Sequence, residues 1–273
     1  MSEQAAKAEK LRQLHHGPKI LVLPNAWDAA SARIFEDAGF PAIATTSAGV
    51  AFSLGYADGQ FIPRDEMLAA VKKIASSVKV PVTADLEGGY EDAGKTAAAA
   101  IEAGAVGLNL EDYDHASNNA LVPIPQQVEK IRAMRRVADD LGVHLVINAR
   151  TDQYLAEIGE PASLFAGATE RLHAYIKAGA DCVFAPGVTD EETIARLVAE
   201  LKFPLNVLAQ APSPRVARLQ ALGVARVSTG AGIARAAMGV TQRAARELRD
   251  HGTYSEMIQS AMPWAEANGL FRK

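Results

Sequence analysis

Four carboxylates fall within two short stretches of the chain. Asp85 and Glu87 lie in Ala84-Asp85-Leu86-Glu87-Gly88-Gly89-Tyr90, and Glu111 and Asp112 in Leu110-Glu111-Asp112. Like charges brought together repel and raise one another's pKa unless a cation intervenes. Oxygen donors without His or Cys partners suit a hard divalent ion, Mg2+ or Mn2+. Mg2+ keeps several waters, so one or two direct carboxylates suffice. The alternative use of these acids is at the N-termini of the following helices, which favour negative charge. Arg150, in Asn148-Ala149-Arg150-Thr151-Asp152, offers a planar fork to a carboxylate or phosphate, or else closes a salt bridge to one of the acids. Thr45, Thr46 and Ser47, ahead of Ala48-Gly49, either hold a substrate carboxylate or form an ordinary turn. Asn206, inside an apolar run, needs a partner for its amide, from a substrate or a neighbouring strand end. Ser228-Thr229-Gly230-Ala231-Gly232 enters a helix and reads either as an anion cup or as plain small-residue packing. His115 follows the Glu111-Asp112 pair and either faces the site or sits on a surface loop. The lone Cys182 begins an apolar run and reads as a small buried hydrophobe.

These residues need elements to hold them. Eight short apolar runs, at 20–24, 41–46, 80–86, 105–111, 143–149, 181–186, 203–209 and 224–229, recur at roughly the 31 residues per βα unit of a ~250-residue barrel. They are near-continuously apolar, as parallel strands covered on both faces must be. Helical patterns occupy 125–140, 163–178, 189–201, 213–222 and 231–250, and Pro63-Arg64-Asp65 starts another. Ala38-Gly39, Ala103-Gly104, Ala178-Gly179 and Leu222-Gly223 each read as a helix stopped by a left-handed glycine before the next strand, with Leu141-Gly142 a looser copy. The pattern predicts one α/β domain over 1–273, a (β/α)8 TIM barrel. A leader helix lies in 1–17 and a C-terminal helical tail in 253–273. The polar residues gather at strand C-terminal ends, where barrel active sites are built. A doubly wound sheet would carry a glycine-rich turn after its first strand, and Leu23-Pro24-Asn25-Ala26-Trp27 has none.

Composition bounds the function. The chain has 273 residues, net charge −4, 49% hydrophobic and 22% charged residues. That balance argues against nucleic-acid binding by bulk charge and against disorder. No apolar stretch reaches the ~20 residues of a membrane span, and 1–17 has no signal-peptide core. One cysteine cannot form an internal disulfide, so a cytoplasmic setting is expected.

Leu23-Pro24-Asn25-Ala26-Trp27-Asp28, Thr46-Ser47-Ala48-Gly49, Ala84 to Tyr90, Leu110-Glu111-Asp112 and Asn148 to Asp152, in this order, resemble the isocitrate lyase/phosphoenolpyruvate mutase superfamily over about residues 10–250. The resemblance implies a barrel whose eighth helix is exchanged between subunits of a homodimer or homotetramer. It also implies Mg2+-dependent making or breaking of C–C or P–C bonds beside a 2-oxo acid or its enolate. By position, Asp85 would ligate the metal directly, with Asp58, Glu87 and Glu111 holding its waters. Thr46, Ser47 and Ala48 would grip the substrate carboxylate, Arg150 the oxo-acid end and Asn206 the far end, while Trp27 and Asp28 line the mouth.

The departures narrow the chemistry. Glu87 stands where the family's strand motif has a second aspartate, and a longer acid still reaches a metal-bound water. The lyase branch's K-K-C-G-H loop is replaced by Tyr113-Asp114-His115-Ala116-Ser117-Asn118-Asn119-Ala120, with neither cysteine nor lysine. Isocitrate or methylisocitrate cleavage by a cysteine acid is therefore not expected, and the mutase-branch lysine is also missing. Loss of CO2 needs no general base, whereas an aldol-type lyase needs one, for which His115 and Tyr113 are candidates. The expected function is a Mg2+-dependent C–C lyase on a small 2-oxo or 2-hydroxy dicarboxylate, passing through an enolate. The alternatives are P–C bond chemistry and non-catalytic binding of a 2-oxo acid and metal.

Overall fold

The computed structural model describes residues 2–117 and 119–272. Helix α1 (Glu3–Leu14) precedes β1 (Leu21–Leu23), β2 (Asn25–Ala26), α2 (Ala29–Asp37), β3 (Ile43–Thr45) and α3 (Ser47–Ser53). Helix α4 (Arg64–Ser77), β4 (Val82–Asp85), α5 (Ala93–Glu102), β5 (Gly107–Glu111), α6 (Ile124–Asp140) and β6 (Val146–Arg150) follow. Then come α7 (Leu164–Ala178), β7 (Cys182–Phe184), α8 (Glu191–Leu201), β8 (Leu205–Leu208), α9 (Val216–Ala221), β9 (Arg226–Ser228) and α10 (Gly232–His251). The tail carries α11 (Ser255–Ser260) and α12 (Trp264–Gly269).

All strand pairs are parallel, in the order β1-β9-β8-β7-β6-β5-β4-β3-β2. The expected (β/α)8 barrel is present, with one refinement. Its first stave, expected as 20–24, divides at Pro24, which has no N–H to give a ladder. Leu21–Leu23 pair with β9 and Asn25–Ala26 with β3, while the Pro24 carbonyl accepts from Ala44 N–H. The two halves of this stave, β1 and β2, lie at the two ends of the strand order and close the barrel. All five glycines of the repeated unit, Gly39, Gly104, Gly142, Gly179 and Gly223, adopt positive φ, as a left-handed helix stop requires.

Helix α1 shuts the barrel floor. Ala8 and Leu11 are fully buried, and the Gln4 amide donates to the carbonyls of Ile101 and Ala105. A Cβ on Gly107 would lie 2.9 Å from Leu11 Cδ2 and from Val146 O, so only glycine lets the helix approach so closely. At the other end of the chain, α10 packs chiefly on α11. It buries only Ala234 and exposes Ile233, Met238 and Leu248. The tail returns to α2, where Arg33 Nε donates to Leu270 O at 2.7 Å. No described helix is long and apolar enough to cross a membrane.

Candidate active site

At the C-terminal ends of the strands two connected chambers of about 350 Å3 each share Ser47, Asp58, Arg150 and Leu155. The first reaches Asp85, Asn109, Phe184 and Arg235; the second reaches Glu111, Tyr113, His115 and Asp152.

Asp85 ends β4 and is buried on the floor. Its Oδ2 accepts from Ser47 N (3.2 Å) and Ser47 Oγ (2.9 Å), and its own N–H donates to Thr45 Oγ1 at 2.8 Å. Its Oδ1 has no partner. A buried carboxylate oxygen left this way is costly unless a ligand takes it. Ser47 therefore orients Asp85, Thr46 caps α3 by accepting from Gly49 N, and Ala48 alone of the three commits no side-chain group. All three line the chamber.

Glu111 ends β5. Its Oε1 hydrogen-bonds His115 Nε2 at 2.7 Å and its Oε2 lies 2.9 Å from Arg150 Nη1. Arg150 Nε donates to Asp152 Oδ1 at 2.7 Å, and its guanidinium lies over the Phe184 ring, 5.8 Å from the centroid. Burial pushes the Glu111 carboxyl up, against the pull of Arg150. Burial opposes the Arg150 charge, but Asp152, Glu111 and Asp85 together hold its proton far more tightly than usual. The salt-bridge alternative for Arg150 is thus realised, and the bridge is itself part of the chamber wall. His115 loses by burial and gains more from Glu111, so its pKa is raised. The edge of its ring meets Tyr113, with centroids 5.2 Å apart. Both residues stand on a loop closed by the Tyr113–Leu121 bridge. Asn118 of that loop lies outside the described residues.

Glu87 sits behind the wall rather than on it. Its Oε1 accepts from Gln60 N at 2.6 Å and its Oε2 from Tyr90 OH at 3.2 Å. Burial pushes its carboxyl up to about 7, with Glu111 and Asp85 adding to the rise. Gln60, Glu87 and Tyr90 all hold positive φ, a concentration of backbone strain typical of functional sites. Asp58 stands at the exposed rim between the chambers, and its carboxyl is raised by partial burial and by Asp85. Among the described residues, no three His, Cys, Asp or Glu side chains form a metal cage. The donors fit a hard ion held directly by Asp85, with Asp58 and Glu111 on the same chamber walls to hold its waters.

Several expected site residues lie elsewhere. Asp112 does not join the acid cluster. It is fully buried and turned outward, accepting from Tyr175 OH (2.6 Å), Arg171 Nη1 (3.1 Å) and Asp152 N (2.9 Å). Asp28 caps α2, accepting from Ser31 N at 2.7 Å. Trp27 lines a separate apolar groove of about 710 Å3 with α3 and α10. Asn206 points into the barrel and donates to Ser228 Oγ at 3.1 Å, below the chamber wall. The Ser228–Gly232 anion cup is not formed, because Thr229 N and Gly230 N donate to Asn25 Oδ1. Two further residues shape the site. Gln60 clamps the strained Glu87–Tyr90 turn by accepting from Gly88 N and Tyr90 N. Arg235, one turn into α10, puts a cation on the chamber wall. A basic residue so near a helix N-terminus opposes the helix dipole, and that was its readable signal.

The phosphoenolpyruvate phosphomutase family model matches residues 11–249. A Burkholderia cenocepacia crystal structure, described as a candidate lyase/mutase, superposes with TM-score 0.92 at 39% identity, covering 99% of this chain and 97% of that one. Phosphonopyruvate hydrolase in complex with oxalate and Mg2+ superposes with TM-score 0.84 at 25% identity, covering 96% and 95%. Among curated relatives, oxaloacetate decarboxylase of Chromohalobacter salexigens is 31% identical over 83% of this chain and 79% of its own length. The 2-methylisocitrate lyase of Bacillus subtilis is 28% identical over 93% and 86%.

Proposed function

The chain belongs to the phosphoenolpyruvate mutase/isocitrate lyase superfamily, and on that premise we propose that it is a Mg2+-dependent C–C lyase whose substrate is a small 2-oxo or 2-hydroxy dicarboxylate. Decarboxylation of an oxaloacetate-like acid is the reaction we favour. The observation that carries this reading is the unpartnered Asp85 Oδ1 on a chamber floor that also presents Arg150. A divalent ion, when bound there, would supply the positive charge that draws electrons from the cleaving bond toward the oxo group.

The chain's own residues account for the rest. Arg150 is placed to donate to the substrate oxygen that gains charge as CO2 leaves, and it is held in place by Glu111, Asp152 and Phe184. Arg235 faces the same chamber from α10 and suits a second carboxylate. His115 keeps its proton through Glu111 and is the group available to return one to C3 of the enolate. Tyr113 steadies that ring. Leu155, Phe184 and Pro186 give the chamber an apolar side that limits water. Cleavage of methylisocitrate by a cysteine acid is disfavoured, since the only cysteine, Cys182, is buried in β7, its thiol pushed up to about 12 by burial.

The oligomer belongs to the same proposal. Helix α10 leaves its apolar side uncovered beside the groove at Trp27 and Phe52, as an arm exchanged with a second copy would. A cytoplasmic enzyme fits the single cysteine. The test is turnover with Mg2+ on oxaloacetate, alkylmalates and phosphonopyruvate in parallel. Release of CO2 and pyruvate from oxaloacetate supports the reading. Turnover of phosphonopyruvate alone would replace it with P–C cleavage, and binding without product would replace it with a non-catalytic protein.

A further inference from the structure

Arg226 opens β9 and lies inside the barrel, fully buried. Its neighbours in register are Leu21 on one side and Asn206 on the other. Among the described residues, its side chain makes one hydrogen bond, which crosses to β5, the stave four places around the barrel, where Nη2 donates to Asn109 Oδ1 at 3.4 Å. Asn109 is a chamber-floor residue. Among the described residues, the Nε and Nη1 groups have no partner. Thr83 Oγ1 and Asn148 Oδ1, two other buried polar atoms on β4 and β6, are unpartnered as well. Burial pushes the guanidinium down to about 10, with Asp85 pulling the other way, so it stays charged at neutral pH.

A buried, unpaired cation is a liability for folding, and a well-packed apolar residue is often as good or better for stability. What it offers the site is the field it casts. The barrel interior screens that field less than bulk water does on its way to the chamber floor. There it would act on a bound divalent cation and on a dicarboxylate with opposite consequences. We propose that Arg226 is a counter-charge built beneath the active site, which weakens metal binding and strengthens binding of the anionic substrate. Arg226 touches neither ligand and acts on both through space. The charge would favour release of the metal, and it offsets part of the repulsion that the surrounding acids exert on a substrate dianion. This inference rests on the metal and 2-oxo acid reading above.

The test uses the full-length protein with two probes, Mn2+ alone and oxalate at saturating Mn2+, each titrated calorimetrically. In Arg226→Met, Mn2+ binds about 5- to 20-fold more tightly and oxalate about 5- to 20-fold more weakly, from the Coulomb energy of one charge at intermediate dielectric. In Arg226→Lys, which keeps the charge, both constants stay within about threefold of wild type. A merely structural role would weaken both ligands together, and that result, or no change in either, overturns the inference. Arg226→Gln, judged by the same two constants, replaces the Met variant should that one fail to fold. If the wild-type protein binds neither Mn2+ nor oxalate, the active-site reading itself fails and takes the inference with it. If wild type binds both and the Met variant is unaltered, only the inference falls.

Discussion

Replacing Arg150 with Met removes the cation that two buried carboxylates share. Its nitrogens lie 2.9 Å from Glu111 and 2.7 Å from Asp152, whose side chains are only 6% and 3% exposed. Breaking such a pair by removing one partner costs about 3–5 kcal/mol, because the remaining charges stay buried. At about 2–4 °C per kcal/mol for a chain of this size, Tm should fall by roughly 6–20 °C at pH 8. The loss should depend on pH in a definite direction. Burial already raises Glu111, and without Arg150 the folded-state value climbs further above the unfolded one. A carboxyl raised on folding leaves stability intact below its unfolded pKa and removes it as pH rises through the folded value. The Tm deficit of Arg150→Met should therefore be small near pH 4.5 and largest at pH 8. Catalysis should fall by about 10²–10³ in kcat, the usual loss for one charge-stabilising donor. Arg150→Lys should recover much of the stability but little of the rate, since the fork is lost. Differential scanning fluorimetry across pH, beside a CO2-release assay, reads both. A Tm within 2 °C of wild type at pH 8, or a deficit independent of pH, would refute the reasoning.

Glu87 is pushed up to about 7 by burial, so the metal-free protein should lose stability as pH rises from about 4.5 through 7. Glu87→Gln should match wild type near pH 4.5 and exceed it by about 3 kcal/mol at pH 8 in chemical denaturation, while binding Mn2+ more weakly. Asp112 belongs to the framework. Asp112→Ala should cost about 3–5 kcal/mol by stranding Arg171 and Tyr175, against about 1 kcal/mol for Tyr175→Phe, and the double variant should be less than additive. Met238 on α10 is 52% exposed. Met238→Glu should shift a homo-oligomer toward monomer in light scattering, and an unchanged mass would count against an α10 interface.

The barrel was readable because parallel staves must be apolar on both faces and because each helix ends on a glycine at positive φ. What escaped was the direction of individual side chains. Glu111 and Asp112 are adjacent on a strand end, and successive strand residues face opposite sides. Only one of them can enter the site, and the structure assigns Glu111 to the chamber and Asp112 to Tyr175 and Arg171. Asp85 and Glu87 share a parity, yet the positive φ at Glu87 breaks the extended backbone and moves its carboxylate behind the wall. Asp28 caps α2 instead of lining the mouth, as the local pattern Asp28-x-x-Ser31 allows. Gln60 carries no sequence signal, because it acts through backbone amides of a distant turn, whereas Arg226, a charge inside the apolar run 224–229, carries the same kind of signal as Asn206.

The account stands on Asp85 as the seat of a divalent ion, and Mn2+ binding to Asp85→Asn, followed by electron paramagnetic resonance, tests it most directly. Wild type should bind one Mn2+ per chain, and the variant should bind it at least tenfold more weakly while keeping its circular dichroism and Tm. Equal affinity in the two proteins would contradict the account, whatever reaction the chain is later found to catalyse.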